Sequence, residues 1–139
     1  MRICIIDDEH ISRTIIDATL KRRDSYTVEA FSSASRAITR CKEITFDLIL
    51  VDYQMPEMNG IECISHIRQL HTYLHVPVIM LTADVDRDVR LAAIQAGATD
   101  FLNKPFDPEE LRIRAKNLLS LREAQLALID RAKTLDVEV

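Results

Sequence analysis

Two short apolar runs in this chain stop at acidic residues. Residues 3–6 are followed by Asp7 and Asp8, and residues 48–51 are followed by Asp52. Carboxylates that converge raise one another's pKa unless a cation bridges them. Oxygen ligands with room for several waters suit Mg²⁺. We therefore predict that the three acids meet, hold Mg²⁺, and leave Asp52 able to accept a phosphoryl group.

The expected ligand set divides the acids by role. Asp8 and Asp52 are predicted to bind the metal directly, and the backbone carbonyl of Gln54 to complete the protein ligands. Asp7 is predicted to act through a metal-bound water. One oxygen of Asp52 would then bind the metal while the other attacks phosphorus, a reaction that depends mainly on positioning and charge stabilisation.

Three further groups follow the later apolar runs. Lys104 can place a positive charge on the far side of the phosphoryl group. Thr82 can donate its hydroxyl, and Ala83 its backbone N–H, to phosphoryl oxygens. Each residue also has a plain alternative, since strand-end acids are often solvated, Thr82 could cap a helix, and Lys104 could be a solvated loop cation. Their combination, each after its own strand, favours the functional interpretation.

The elements that position these residues alternate strictly. Apolar runs and helical periodicities predict five strand-then-helix units, which specify a parallel sheet covered by helices on both faces. The strand order 2-1-3-4-5 fits this length and places the functional crevice at the carboxyl ends of strands 1 and 3. The predicted strands are 2–6, 26–30, 46–51, 76–81 and 99–102, and the predicted helices include 10–23, 60–70, 87–96 and one beginning at 108.

The last helix is predicted to be unusually long, without a breaker from residue 108 to about 135. We expect a domain at 1–120 and a helical extension at 121–139. The extension either packs on its own domain, pairs with another chain as a homodimer, or leads into an output domain. Neutral or apolar residues recur there at alternating spacings of three and four, as in a short coiled coil: Leu118, Leu121, Gln125, Leu128, Ala132 and Leu135.

Composition narrows the class of protein. A chain of 139 residues with a net charge of −4 and no basic tract is expected not to bind nucleic acid directly. No apolar run approaches the roughly 20 residues of a membrane span. The odd number of cysteines, three, suggests free thiols and a cytoplasmic location. Two glycines leave no Gly-rich phosphate loop.

Four segments carry a family resemblance. Residues 5–9, 47–60, 77–83 and 97–106 resemble the signature motifs of the receiver domain of two-component response regulators, and the resemblance runs from residue 1 to about 120. It implies a flavodoxin-like fold and a signalling phosphoacceptor, rather than an enzyme acting on other substrates. The implied partner is a sensor histidine kinase or a phosphotransfer protein.

The resemblance also implies residue roles. Asp52 is the implied phosphoacceptor, Asp7 and Asp8 the Mg²⁺ pair, Lys104 a catalytic residue and Thr82 a switch residue. The Lys-Pro bond at 104–105 is expected to be cis. In the same family, an aromatic at the position of Phe101 turns inward on activation, and the positions of Gln54 and Asp84 tune the phosphoryl lifetime.

Two alternatives stay open at this point. A phosphatase that forms an aspartyl phosphate could use the same scaffold, but the run from Asp52 to Gln54 lacks a second acid two residues on. A dimer scaffold that works without phosphorylation could use the last helix. Dimerisation that is equal with and without a phosphoryl mimic such as beryllofluoride would favour the scaffold.

Overall fold

The computed structural model describes the backbone of residues 1–21, 26–83 and 86–138, and the side chains of these residues as far as 133. Five parallel strands form one sheet in the order β2-β1-β3-β4-β5. This confirms the predicted fold class and strand order. The strands are β1 (Arg2–Ile6), β2 (Thr27–Phe31), β3 (Leu48–Asp52), β4 (Val78–Thr82) and β5 (Asp100–Asn103).

Five helices cover the two faces of the sheet. Side chains of α1 and α5 share one buried cluster with Ile3 and Ile5, whereas those of α2, α3 and α4 share the other with Cys4 and Ile6. Successive residues of a strand point to opposite faces, so β1 needs apolar side chains from Ile3 to Ile6, where both faces are covered. The helices are α1 (His10–Lys21), α2 (Ala34–Glu43), α3 (Gly60–Arg68), α4 (Arg87–Ala96) and α5 (Pro108–Glu138).

Four strands end one residue later than predicted, and three of them, β3, β4 and β5, end in a polar residue. Asp52 pairs with Leu81 in the ladder, and Thr82 pairs with Asn103, although each prediction stopped at the last apolar residue before them. Backbone pairing does not depend on side-chain polarity, so the ladder continues into the polar residues at the strand ends. Helix α3 also ends at Arg68 rather than at 70, before a short 3₁₀ turn, His71–Tyr73.

Local capping explains where two helices begin and end. Asn59 accepts a hydrogen bond from the Glu62 backbone N–H, and the Glu62 side chain accepts one from the Asn59 backbone, forming a capping box at the start of α3. Gly97 ends α4 with a φ of 115°. This left-handed conformation strains residues that carry a Cβ, so glycine suits the position.

Helix α5 has 31 residues, which corresponds to about 46 Å at 1.5 Å per residue. Its buried residues extend to Arg122, whose Nε lies 3.3 Å from Asp47 Oδ1. Asp47 Oδ2 also accepts a hydrogen bond from the Arg2 backbone N–H at 2.8 Å. These contacts attach α5 to the amino ends of β1 and β3. The extended last helix is confirmed, and the domain boundary at 120 stays a prediction.

Two sequence predictions fall outside the described residues: the last two residues of the helix predicted at 10–23, and Asp84. None of the described helices is both long enough and apolar enough to cross a lipid bilayer.

Candidate functional site

Strand ends deliver the polar residues to one edge of the sheet. Asp7 directly follows β1, Asp52 is the last residue of β3, and Thr82 is the last residue of β4. The backbone N–H of Lys104 donates to the Thr82 carbonyl at 2.9 Å, which fixes the start of the loop after β5. Parallel strands share their carboxyl ends, so residues far apart in sequence become neighbours.

The three predicted acids come together. Asp7, Asp8 and Asp52 each offer a carboxylate oxygen, and these oxygens all lie within 4.8 Å of one another. Asp7 and Asp52 are buried, whereas Asp8 is exposed. Asp52 is only 5% exposed, so its charge loses most of its contact with water. A neighbouring cation compensates for the lost hydration instead.

Lys104 is that cation. Its Nζ lies 3.0 Å from Asp7 Oδ2 and 3.3 Å from Asp52 Oδ2. Burial opposes the charged form, but hydrogen bonding to Asp7 and the charge of Asp52 outweigh it and raise the pKa of Lys104. The ammonium group therefore stays protonated between the two acids. The bond between Lys104 and Pro105 is cis, as the family resemblance implied.

The surroundings of Asp52 change the pKa of its carboxyl group. Burial, followed by the negative charge of Asp7, raises its pKa to about 6, and Lys104 limits the rise. Burial and the neighbouring acid thus disfavour the ionised form of Asp52. A bound divalent cation would favour the ionised form of Asp52, and a set of carboxylate oxygens suits Mg²⁺.

Asp7 is the most constrained of the three acids. Its Oδ1 accepts a hydrogen bond from the Glu9 backbone N–H at 2.9 Å, and its Oδ2 accepts one from Lys104 Nζ at 3.0 Å. Arg13 Nη1 donates to the Asp7 backbone carbonyl at 2.8 Å. Sequence reasoning missed Arg13, because six residues separate it from Asp7 and the pattern carries no motif for a side-chain contact with a backbone carbonyl.

An open cavity of about 1000 Å³ adjoins the acids. Asp8, Asp52, Gln54, Thr82, Ala83 and Lys104 all line it, together with apolar side chains of Ile11, Met55 and Phe106. Ala83 is exposed, and Thr82 is buried. The cavity therefore brings together the predicted metal ligands and the predicted phosphoryl-contacting residues.

Phe101 lies away from this group, on β5. Its ring is half-buried and packs against the core cluster that α4 shares, and the guanidinium of Arg90 lies 5.4 Å from the ring centroid. The arrangement joins Phe101 to α4 through a cation–π contact. The switch role of Phe101 stays a prediction.

Gly60 contributes to the site through its lack of a side chain. A Cβ at this position would lie 2.6 Å from the Asp52 backbone oxygen and 2.9 Å from Tyr53 Cα. The Gly60 N–H donates to the Tyr53 carbonyl at 2.7 Å, which closes the loop after β3. Glycine is a poor helix former, so a glycine at the first residue of α3 was the sequence signal that this position needs a small residue.

Gly60→Ala is expected to lower the free energy of unfolding by about 2 kcal/mol, because backbone atoms must shift to admit the methyl group. Urea denaturation measures the change. Ser65→Ala, on the exposed side of the same helix, is the matched control and should change stability by less than about 0.5 kcal/mol. Alanine is the better helix former, so without the close contact the substitution should not destabilise the protein. A Gly60→Ala protein at least as stable as the wild type would therefore refute the contact.

Comparisons with known proteins agree with this geometry. The chain is 36% identical over 137 residues to the cyclic di-GMP phosphodiesterase response regulator RpfG of Xanthomonas campestris, covering 98% of this chain and 36% of that protein. It is 33% identical over 123 residues to the hybrid signal transduction histidine kinase D of Dictyostelium discoideum, covering 88% of this chain and 8% of that protein. The chain thus spans about a third or less of these relatives.

Comparison with solved structures also finds a signalling protein of similar fold. The chemotaxis protein CheY4 of Vibrio cholerae superposes with a TM-score of 0.80 at 29% identity, covering 84% of this chain and 97% of that chain. The sequence profile described as the response regulator receiver domain matches residues 3–116. This chain therefore belongs to the response regulator receiver domain family.

Proposed function

We propose that this receiver domain accepts a phosphoryl group on Asp52 from a phosphohistidine, in a reaction that requires Mg²⁺. The observation that carries the proposal is the cluster itself, in which three carboxylates lie within 4.8 Å and Lys104 Nζ lies 3.3 Å from Asp52. The cluster lies at the mouth of an open cavity, which leaves room for a phosphoryl group and a metal.

The transfer exchanges one bond to phosphorus for another. A carboxylate oxygen of Asp52 forms a bond to phosphorus while the bond between phosphorus and the donor imidazole nitrogen breaks. The electron pair of the broken bond stays on the imidazole nitrogen. If the other ring nitrogen carries a proton, the ring leaves as neutral imidazole; otherwise it takes up a proton from solvent. Asp52 must be ionised for this attack, so the proton that it binds below about pH 6 has to be absent.

The proposed ligand set keeps the division predicted from sequence. Asp8 and Asp52 would bind the metal directly, with the Gln54 backbone carbonyl. Asp7 would act through a water, since both of its carboxylate oxygens already accept hydrogen bonds. When bound, Mg²⁺ supplies positive charge that lets a dianionic phosphoryl group approach an acidic pocket.

Lys104, Thr82 and Ala83 are the proposed phosphoryl contacts. Lys104 Nζ would exchange its contact with Asp52 for a phosphoryl oxygen, while Thr82 and the Ala83 N–H would donate to others. These contacts favour one arrangement of the loops after β4 and β5, so phosphorylation would shift an existing equilibrium. Helix α4, Phe101 on β5 and helix α5 follow those loops and form the proposed signalling surface.

The proposed phosphoryl donor is a sensor histidine kinase or a phosphotransfer protein. The similarity to a segment of a hybrid histidine kinase supports a donor of this class. The similarity to RpfG extends over 98% of this chain and so covers most of α5. We infer that α5 connects such domains to an output domain in longer proteins, one candidate being a cyclic di-GMP phosphodiesterase.

Incubation with acetyl phosphate and Mg²⁺, followed by mass spectrometry of the intact chain, tests the proposal. We expect a mass increase of one phosphoryl group, which disappears when EDTA removes the metal. Phosphorylation of equal extent in EDTA would contradict the metal requirement. Absence of any phosphorylation, by acetyl phosphate and by a phosphorylated histidine kinase, would contradict the proposed function.

A dimer scaffold independent of phosphorylation is the second candidate, favoured by the exposed leucines of α5. Amide hydrogen exchange of α4 with and without beryllofluoride separates the two candidates, because a receiver that switches should change α4 whether or not it is already dimeric. An unchanged α4, in a protein that acetyl phosphate does not phosphorylate, would favour the scaffold.

A further inference from the structure

The second half of α5 carries apolar side chains that its own domain leaves exposed. Leu121 is 48% exposed, Leu128 66% and Ile129 44%. The residues by which α5 packs on the sheet are Leu111, Ala115, Leu119 and Arg122, and at 100° per residue these lie on a different side of the helix from Leu121 and Leu128. The exposed side therefore does not contribute to the core of the domain.

The exposed side has the spacing of a two-stranded coiled coil. Leu121 and Leu128 occupy d positions, and Gln125 and Ala132 occupy a positions between and after them. Leucine at d with a polar residue at a single a position is typical of dimers. Ala124 at g and Ile129 at e flank this seam and widen its apolar surface. A second helix with the same pattern is complementary to it.

Gln125 indicates the orientation of the partner. Its side chain is half-buried, and its Oε1 is covered by protein but accepts no hydrogen bond from any described residue. No intramolecular hydrogen bond of that oxygen has to break for the amide to turn toward a partner. In a parallel pair in register, the two Gln125 amides face each other and can bond. In an antiparallel pair, a positions face d positions, so Gln125 would lie against a leucine of the other helix, Leu121 or Leu128.

The sequence around the seam has matching charge. Arg131 occupies a g position, and the next e position in the sequence holds the acidic residue 136. In parallel coiled coils, a g position faces the following e position of the partner helix, and the sequence has residues of opposite charge at these two positions. The preceding pair of positions, Ala124 at g and Ile129 at e, is apolar on both sides.

We propose that a second copy of this chain binds along this side of α5, forming a parallel coiled coil in register over residues 121–135. The proposal goes beyond the phosphoacceptor function and does not depend on it, because the seam lies at the end of α5 distant in sequence from the acids. Its test therefore uses the full 139-residue chain without any phosphoryl donor.

Sedimentation equilibrium of the wild-type chain and two variants tests the surface. Leu128→Glu places a charge in the seam, and Ala127→Glu places the same charge one residue away on the exposed side. We expect the wild type and Ala127→Glu to dimerise, and Leu128→Glu to raise the dissociation constant by about 100-fold, since each dimer loses two buried leucines. A wild type that stays monomeric, or equal weakening by both variants, would overturn the proposal.

Cross-linking tests the orientation. Gln125→Cys should form an interchain disulfide under mild oxidation, because a positions of parallel helices face each other, whereas Glu123→Cys at an outer position should not. The three native cysteines are at most 3% exposed, and the wild type serves as the control for them. Cross-linking of both variants to the same extent, or of neither, would overturn the parallel register.

Discussion

Asp52→Asn is expected to abolish phosphorylation of the chain by acetyl phosphate. The amide nitrogen cannot attack phosphorus as a carboxylate oxygen does, and the variant also loses one of the three acids that lie within 4.8 Å. We expect at least about a 1000-fold lower rate, which in practice is no detectable product. Mass spectrometry of the intact chain over a time course measures it.

A matched control separates this effect from the general loss of a carboxylate. Asp130→Asn makes the same chemical change on an exposed residue of α5 and should leave phosphorylation unchanged. Circular dichroism should show that Asp52→Asn stays folded, because the substitution removes a buried charge that its surroundings disfavour. Full phosphorylation of a folded Asp52→Asn protein would assign the phosphoacceptor to another residue.

Arg68→Ala is expected to lower the free energy of unfolding by about 3 kcal/mol, because it removes the donors of several part-buried backbone carbonyls. Arg68 lies at the end of α3 and donates to three of them. Its Nη1 lies 2.5 Å from the Tyr73 carbonyl oxygen and 2.6 Å from that of Val76, and its Nη2 lies 2.7 Å from that of Gly97. Urea denaturation measures the loss.

Two further variants locate the cause of that loss. Arg68→Lys keeps the positive charge and most of the stem but lacks the planar fork that reaches several carbonyls at once, so it should recover less than half of the stability. Arg36→Ala removes an exposed arginine from α2 and should change stability by less than about 0.5 kcal/mol. If Arg68→Ala were as mild as Arg36→Ala, the three carbonyls would not depend on the guanidinium.

The contact also has a structural consequence. Arg68 joins the end of α3 to Gly97 at the end of α4, and a Cβ on Gly97 would lie 2.7 Å from Arg68 Nε. Helix α4 is therefore held at its carboxyl end, while its amino end follows the loop after Thr82. Amide hydrogen exchange in Arg68→Ala should accordingly increase most around the carboxyl end of α4.

Several features could be predicted from local sequence. Strand order and the meeting of Asp7, Asp8 and Asp52 followed from alternating strand and helix signals, because parallel strands in a right-handed α/β sheet must present their carboxyl ends together. The bounds of α4 also followed from sequence, since the helix predicted at 87–96 is the observed one. These predictions succeeded because each depends on periodicity or on a residue type with a strong backbone preference.

Other features depended on contacts between distant parts of the chain. The strand ends shifted because ladder hydrogen bonds continue past the last apolar side chain. The partners of Arg68 and the pairing of Arg122 with Asp47 have no sequence signal, since long side chains reach whichever carbonyl or carboxylate the fold brings near. The burial of Asp52 likewise depends on a compensating cation, Lys104, that lies 52 residues away in the sequence.

The sequence by itself determined which residues make the acidic site and which sheet carries them, because apolar periodicity and strand-end chemistry are local properties. Only the tertiary structure decided how the site is balanced, with Lys104 between Asp7 and Asp52, a pKa of Asp52 raised to about 6, and Gly60 against its backbone. Those properties depend on distances of a few ångströms between separate elements, and the packing of helices on the sheet sets these distances.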